Sequence, residues 1–295
     1  MIELLQSLSR GVGSGCAYAL LALGFVVIYR STKVISFAQP ALMVAGAVLV
    51  SYLVGSVDFF LAVPLAVLAI AGLGLVIERV ALRPMVGKPV FIIAIITLGL
   101  DIVIRVVVNA FIGLRVRQVG DPWGLKTIDV GGVLIQQRHL AAVVTTAVIV
   151  AGLFLFFRYS RIGLAMRAAS IDQEAAQAQG ISVGAVFALS WAIAGGLAAV
   201  AGTFVASGGG IDQSTWIIAL KALPAIILGG LDSVGGAVVG GIVVGLAEAL
   251  FGSYQNDYAP WLGTNFSLVS AYVLMLLVLL VRPYGLWGTR EVERV

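Results

Sequence analysis

The stretch RYSRIGLAMRAASIDQEAAQAQGISV, Arg158 to Val183, is the only long polar, helix-forming interruption in a chain otherwise built of membrane-length apolar runs. Its helix formers fall into two groups, AMRAAS and DQEAAQAQ. Asp172 stands where it can cap the second group, and Gly180 is a natural stop. Two short helices lying between two spans are expected, with a surface of Ala, Gln, Arg and Asp for mechanical contact with a soluble partner. No motif elsewhere in the chain supplies energy, so such a protein is driven from outside its own sequence.

Working outward from that stretch, composition sets the class. Of 295 residues 61% are hydrophobic and 11% charged, against roughly 25% charged in soluble domains, and the mean hydropathy is +1.09. The chain is read as an all-α polytopic membrane protein. Its net charge of +4 does not mark a nucleic-acid binder, because the 18 Lys and Arg are scattered at segment ends, where they orient spans. The single cysteine, Cys16, has no internal partner and reads as packing. The first apolar run, Gly11 to Tyr29, is longer than a signal-peptide core and is followed by Arg30 and Lys33, so it is expected to be retained as a span.

With about 20 apolar residues needed per crossing, about eight segments are expected, at 11–29, 34–54, 60–80, 90–112, 139–157, 184–206, 222–250 and 265–281. The loops carrying Arg79, Arg83 and Lys88, and Arg158, Arg161 and Arg167, and the tail with Arg282, Arg290 and Arg294, belong in the cytoplasm. The loop 251–264, with Asp257 and no Lys or Arg, belongs outside. Parity then fails: if 184–206 exits, 222–250 cannot cross once. Its glycine-dense LGGLDSVGGAVVGG suggests two half-helices meeting in a re-entrant bend, tolerated only where it is buried or lines a cavity; one tilted helix with small residues for close packing is the alternative. The loop 113–138 falls outside although it carries Arg115, Arg117, Lys126 and Arg138, and KTIDVGGVLI within it suggests a small hairpin.

The chain has no GxxxxGK[ST], HExxH or CxxC, and His139 is its only histidine, so no catalytic residue and no metal site is expected. His139 reads as an interfacial anchor, and Glu78 and Glu248 as end-of-segment residues reaching the interface. Asp101 and Arg105 share a helix face and pair, either as a self-neutralising structural pair or as a functional site. Glycines at 11 and 15, and at 236, 240, 241 and 245, fit close helix approach. Two breaks are pathway candidates: SFAQPALMVAGA, with Gln39 before Pro40 inside an apolar run, and LGGLDSVGGA. Two independent kinks are the plainer reading of the same residues.

Taken in order, SGCAYALLALGFVVIY, ISFAQPALMVAGA, IERVALRPMVG, ITLGL, RIGLAMRAASIDQEAAQAQGISV, AGGLAAVAGTFVA, KALPAIILGGLDSVGGAVVGGIVVGLAEAL and RPYGLWG resemble the permease subunit of bacterial branched-chain amino acid ABC importers, over nearly the whole chain. The resemblance implies one transmembrane permease domain over 1–295, with a cytoplasmic coupling loop at 158–183 and an extracytoplasmic loop at 113–138, in the bacterial inner membrane. It implies alternating access driven by two ATP-binding cassette subunits that hold ATP and Mg, so that this chain needs no cofactor. A homologous second permease, an extracytoplasmic substrate-binding protein and membrane lipid complete the implied partners, with no nucleic acid. Arg161, Gly163, Arg167, Ala168, Asp172, Ala175, Ala176, Gly180 and Ile181 are implied as the ATPase contact. Ser36, Phe37, Gln39, Pro40, Thr97, Gly229, Gly230, Asp232 and Ser233 are implied to line the route. The family usually shows Asn-Phe-Ala-His-Gly where this chain has SFAQP, which bears on the substrate: branched-chain or related small amino acids, or alternatively urea, amides or other small solutes. Two rival classes are a self-powered secondary transporter using Asp101 or Asp232, and a non-transporting scaffold.

Overall fold

A computed structural model describes residues 2–85, 88–113, 115–262 and 266–288. Arg290 and Arg294, the Val86–Gly87 end of IERVALRPMVG, Leu114, Gly263 and Thr264 of the loop 251–264, and Asn265 lie outside the described residues. The helices run between two ends of a bundle, a polar-loop end holding 158–183 and a hairpin end holding 113–138.

Helix α1 (Ile2–Thr32) starts at the hairpin end, with Ile2 near Gly132, and finishes at the polar-loop end, where Gln173 donates to the Ser31 carbonyl. α2 (Gln39–Leu53) returns, and α3 (Phe59–Ile77) comes back through one π-helical turn at Glu78–Leu82 and a 3-10 turn at Arg83–Met85. α4 (Val90–Ile112) leads to the hairpin of β1 (Thr127–Val130) and β2 (Val133–Gln136), paired antiparallel from Thr127↔Gln136 to Val130↔Val133. The expected hairpin is present, and Gly131 and Gly132 form its two-residue turn at φ +63 and +87, which a side chain disfavours. α5 (Gln137–Tyr159) reaches the short helices α6 (Arg161–Ile171) and α7 (Gln173–Ala178), and α8 (Val183–Ala206) returns. α9 (Trp216–Ala219) and α10 (Ala222–Gly229) descend, α11 (Val234–Tyr258) ascends past a 3-10 turn at Pro260–Leu262, and α12 (Phe266–Val281) descends. Six helices are long and apolar enough to cross a membrane, and Gln39–Leu53, Trp216–Gly229 and Phe266–Val281 are shorter apolar pieces, among the described residues.

Seven of the eight expected segments hold one apolar helix each, five of them long enough to cross alone; 222–250 holds parts of two. The expected break is present, between α10 and α11, but it lies at the end of the bundle and is not re-entrant. α11 is unbroken, and the chain turns at 230–233, with Gly230 at φ +106 and the Ser233 hydroxyl accepting from the Gly236 N–H at 3.0 Å. The glycines that suggested irregular backbone sit inside α11 and let it touch its neighbours: Gly240 meets the Ala225 carbonyl of α10, and Gly241 and Gly245 meet Ala19, Gly15 and Gly11 of α1. Small residues give backbone approach, the main source of helix adhesion where lipid is as apolar as the side chains. Parity is restored because α9–α10 supplies the missing crossing.

α1 is the central post, with 89% of its most apolar window buried, whereas the same windows of α4 and α5 are 11% buried and form the outer wall. The excess positive charge in 113–138 is absorbed locally. Arg117 donates to the Ser51 hydroxyl at 2.7 Å and stacks 3.5 Å over Tyr52, and Arg138 donates to Gln136 and to the Ser207 carbonyl. His139 turns inward onto Gly13 of α1 rather than anchoring at an interface.

Candidate functional site

After α1 ends, Lys33 adopts φ +58 and residues 34–38 run back along the helix in non-helical form. Gln39, the first residue of α2, lies against Gly24: a methyl group there would come within 2.7 Å of the Gln39 Nε2. α2 therefore begins about two helical turns, ~12 Å, inside the bundle from the end of α1. Pro40 occupies the first turn of α2, where its missing N–H is one of the unpaired donors in any case. It starts a helix here, so no hydrogen bond is lost from a helix interior.

A helix starting in an apolar interior exposes donors that no water can satisfy. α4 supplies acceptors: Thr97 Oγ1 accepts from the Phe37 N–H at 3.1 Å, and Asp101 Oδ1 from the Ala41 N–H at 3.2 Å. Ser36 Oγ accepts from the Ala38 N–H at 3.3 Å. Asp101 Oδ2 takes Arg105 Nη2 at 2.6 Å, and the Arg105 guanidinium lies 3.9 Å over the Trp216 ring. The expected i,i+4 pair is present, and its carboxylate also faces the positive end of the α2 dipole, an arrangement worth up to about 2 kcal/mol in partly buried geometry. Ser36, Gln39 and Thr97 are fully buried. Both carboxamide atoms of Gln39 lack a hydrogen-bond partner among the described residues. An unsatisfied buried polar group costs about 1–3 kcal/mol, so this side chain is poorly explained by stability.

The second group of residues expected to line a pathway lies elsewhere. Gly229, Gly230, Asp232 and Ser233 sit at the polar-loop end, where the Leu286 and Trp287 N–H groups donate to the Leu228 and Gly229 carbonyls at 2.8 and 3.1 Å. Asp232 lines an open cavity of about 210 Å³ with Tyr29, Lys33 and Tyr284. The structure brings together Ser36, Phe37, Gln39, Pro40 and Thr97, and keeps Gly229, Gly230, Asp232 and Ser233 apart from them.

The polar loop has its expected form. Asp172 Oδ1 accepts from the Glu174 and Ala175 N–H groups at 2.9 and 3.0 Å, and Gly180 ends the second helix at φ +80. Arg161, Asp172, Ala175 and Gly180 are exposed, and Arg167, Ala168 and Ile181 half-buried. Gly163 and Ala176 face inward instead, Gly163 because a Cβ would lie 2.7 Å from the Phe157 Cα. Ile162, Leu164 and Ile171 are exposed, the last at 87%, and were not among the residues expected on the loop's contact surface. Apolar residues within a polar helix are the signal that would have found them.

Near the hairpin end, Glu248 of α11 accepts from Tyr18 of α1 at 2.6 Å and from the buried Lys221 between α9 and α10. Glu248 thus points into the bundle, correcting the interfacial placement. Glu78 is corrected in the same way: it is 1% exposed and paired with Arg83 at 3.2 Å.

Residues 7–280 match the family described as branched-chain amino acid transport system, permease component. The high-affinity branched-chain amino acid transport system permease protein LivH of Salmonella typhimurium is 31% identical over 310 aligned positions, covering 99% of this chain and 97% of that protein. LivH of Escherichia coli K12 gives the same values, and BraD of Pseudomonas aeruginosa is 32% identical over 322 positions, covering 99% and 98%. Among solved structures, PsaBC from Streptococcus pneumoniae in complex with Fab shares the fold at 14% identity and a TM-score of 0.50, over 93% of this chain and 91% of that one. A buried helix break, a two-helix polar loop and full-length similarity together establish that the chain belongs to the permease-component family of branched-chain amino acid transport systems, as a multi-pass inner-membrane transport permease and not an enzyme.

Proposed function

We propose that this chain forms half of the route of an ATP-driven importer for branched-chain or related small amino acids. The carrying observation is Gln39, fully buried at the start of a helix that begins inside the bundle, with neither carboxamide atom paired among the described residues. Such a group is available to a solute when the route opens. Ser36, Phe37, Pro40 and Thr97 surround this deep part of the route, and Gly229, Gly230, Asp232 and Ser233 form its mouth.

Arg79, Arg83, Lys88, Arg158, Arg161, Arg167 and Arg282 all lie toward the polar-loop end, which in this reading faces the cytoplasm by the excess of positive charge. The hairpin end then receives solute from an extracytoplasmic binding protein. α6 and α7 carry the contact with one of two ATPase subunits, which bind ATP and Mg, and a homologous permease supplies the other half of the route. Arg161, Arg167, Ala168, Asp172, Ala175, Gly180 and Ile181, with Ile162, Leu164 and Ile171, form that contact, while Gly163 and Ala176 seat it on the bundle. Closure of the ATPases on ATP moves the two polar loops and exchanges the open ends. Asp101 already holds Arg105 and the α2 N-terminus, which leaves it poorly placed as the ion site of a self-powered transporter.

The test is reconstitution with the ATPases, second permease and binding protein encoded nearby, followed by uptake of radiolabelled leucine with and without ATP. ATP-dependent leucine uptake that unlabelled valine suppresses and urea or acetamide does not is the expected outcome. Uptake blocked by urea or acetamide but not by valine reassigns the substrate, and uptake without the ATPases supports a secondary transporter.

A further inference from the structure

A cavity of about 300 Å³ lies at the polar-loop end, between the end of α1, the π-helical turn after α3, the start of α4, α7 and α8. That volume is at the lower bound of small-ligand pockets, roughly 300–1,000 Å³. Glu78 in its wall is 1% exposed; Oε1 holds Arg83, and Oε2 has no hydrogen-bond partner among the described residues. Arg83 is itself held by the Gly184 carbonyl at 3.2 Å, so the pair is fixed and the second oxygen stays free. π-Helical turns are rare and frequent at functional sites. Lys33 and Lys88 also line it, neither within ion-pair distance of a carboxylate among the described residues; the Lys33 ammonium lies 5.6 Å from the centre of the Tyr29 ring. Ile93, Phe187 and Trp191 contribute apolar wall, and Thr32 and Gln173 add polar atoms.

We propose that this cavity binds the zwitterionic head group of a small apolar α-amino acid, with the ammonium on Glu78 Oε2, the carboxylate between Lys33 and Lys88, and the side chain against Ile93, Phe187 and Trp191. The assignment rests on the reading that the chain carries amino acids, and adds a station near the coupling loop, apart from Gln39. Glu78 is already neutralised by Arg83, so the sign of the ligand is set by its unpaired Oε2 as well as by the two lysines: an ammonium donor satisfies that oxygen and a carboxylate the lysines, whereas a phosphate group alone leaves the oxygen unpaired. Gln173 of α7 lines the same cavity and donates to the Ser31 carbonyl, so the position of the coupling loop shapes the station directly.

The experiment is equilibrium binding of radiolabelled leucine to the assembled transporter in nanodiscs, without ATP or binding protein. Unlabelled 4-methylpentanoate, lacking the ammonium, and isopentylamine, lacking the carboxylate, serve as competitors. Glu78→Gln is expected to weaken binding at least about 10-fold, as loss of a charge-assisted contact does, and neither competitor is expected to displace leucine. Lys88→Ala, at an exposed position, is expected to weaken binding by a smaller factor and keeps the test decisive where Glu78→Gln fails to assemble. Unchanged affinity in both variants, displacement by either single-charge competitor, or displacement of leucine by phosphatidylglycerol overturns the assignment. Uptake measured in parallel separates the claims: ATP-driven leucine uptake with binding indifferent to Glu78 and Lys88 removes the station alone, and absent wild-type uptake removes the transport reading.

Discussion

Two interruptions look alike in sequence, SFAQP at 36–40 and LGGLDS at 228–233, and the fold uses them in opposite ways. The first lies about two turns inside the bundle beside Gly24, with a neighbouring helix supplying acceptors for its freed N–H groups. The second lies at the bundle end, where the Ser233 hydroxyl caps α11 and the tail at 284–288 packs over Gly230. Breaking a helix is cheap at an end and costly in the interior, where each freed backbone group needs a dedicated partner. Depth, and the presence of tertiary acceptors, separates the break proposed for the deep route from the turn proposed for its mouth.

Four substitutions probe that difference. Asp101→Ala is expected to have the largest effect, because it uncaps α2 and leaves the half-buried Arg105 without its carboxylate. Removing one member of a buried pair costs about 3–5 kcal/mol, so folded yield and thermal midpoint in detergent should fall sharply, with partial recovery on adding Arg105→Leu. Gln39→Leu should abolish most uptake while the midpoint holds or rises, since an unpaired buried amide worth about 1–3 kcal/mol of penalty is removed. A parallel fall in stability and uptake would make Gln39 a packing residue.

At the second interruption, Ser233→Ala should cost about 1 kcal/mol, the loss of one N-cap, and leave the leucine concentration for half-maximal uptake unchanged. The smallest effect is expected in the loop before α9. Hydrogen bonds from Thr215, then Ser214, hold the Asp212 carboxyl below its ordinary value of 3.8. A carboxyl depressed on folding adds stability above pH 3.8 that is lost as pH falls through its lower folded value. Thr215→Val should flatten that acid-side slope in a pH series of unfolding midpoints, with uptake at neutral pH unaffected.

Much of this architecture is legible in sequence because its signals are local. The polar loop declares its caps through Asp172 and Gly180, the hairpin through Gly131–Gly132, and the ion pair through the spacing of Asp101 and Arg105. What sequence misses is tertiary. Nothing near Ala41 announces that Asp101 will accept from it, and nothing near Glu248 announces Lys221. Glu78 and Glu248 read as end residues because apolar runs end near them, yet the helices continue, α3 through a π turn to Leu82 and α11 to Tyr258. The glycines of α11 read both as close helix approach and as a re-entrant bend, and the first holds: a run of small residues is consistent with either until the neighbouring helix is known.

Site-directed thiol labelling across the transport cycle addresses the deep break most directly. With Cys16 replaced by Ala, the Gln39→Cys and Ser233→Cys permeases are assembled with their partners, and a polar maleimide is applied at rest and during ATP-driven leucine uptake. The thiol at position 233 should react throughout. The thiol at position 39 should react only while the transporter cycles, and more slowly as leucine is raised. If it stays unmodified during sustained uptake, the route does not pass the start of α2.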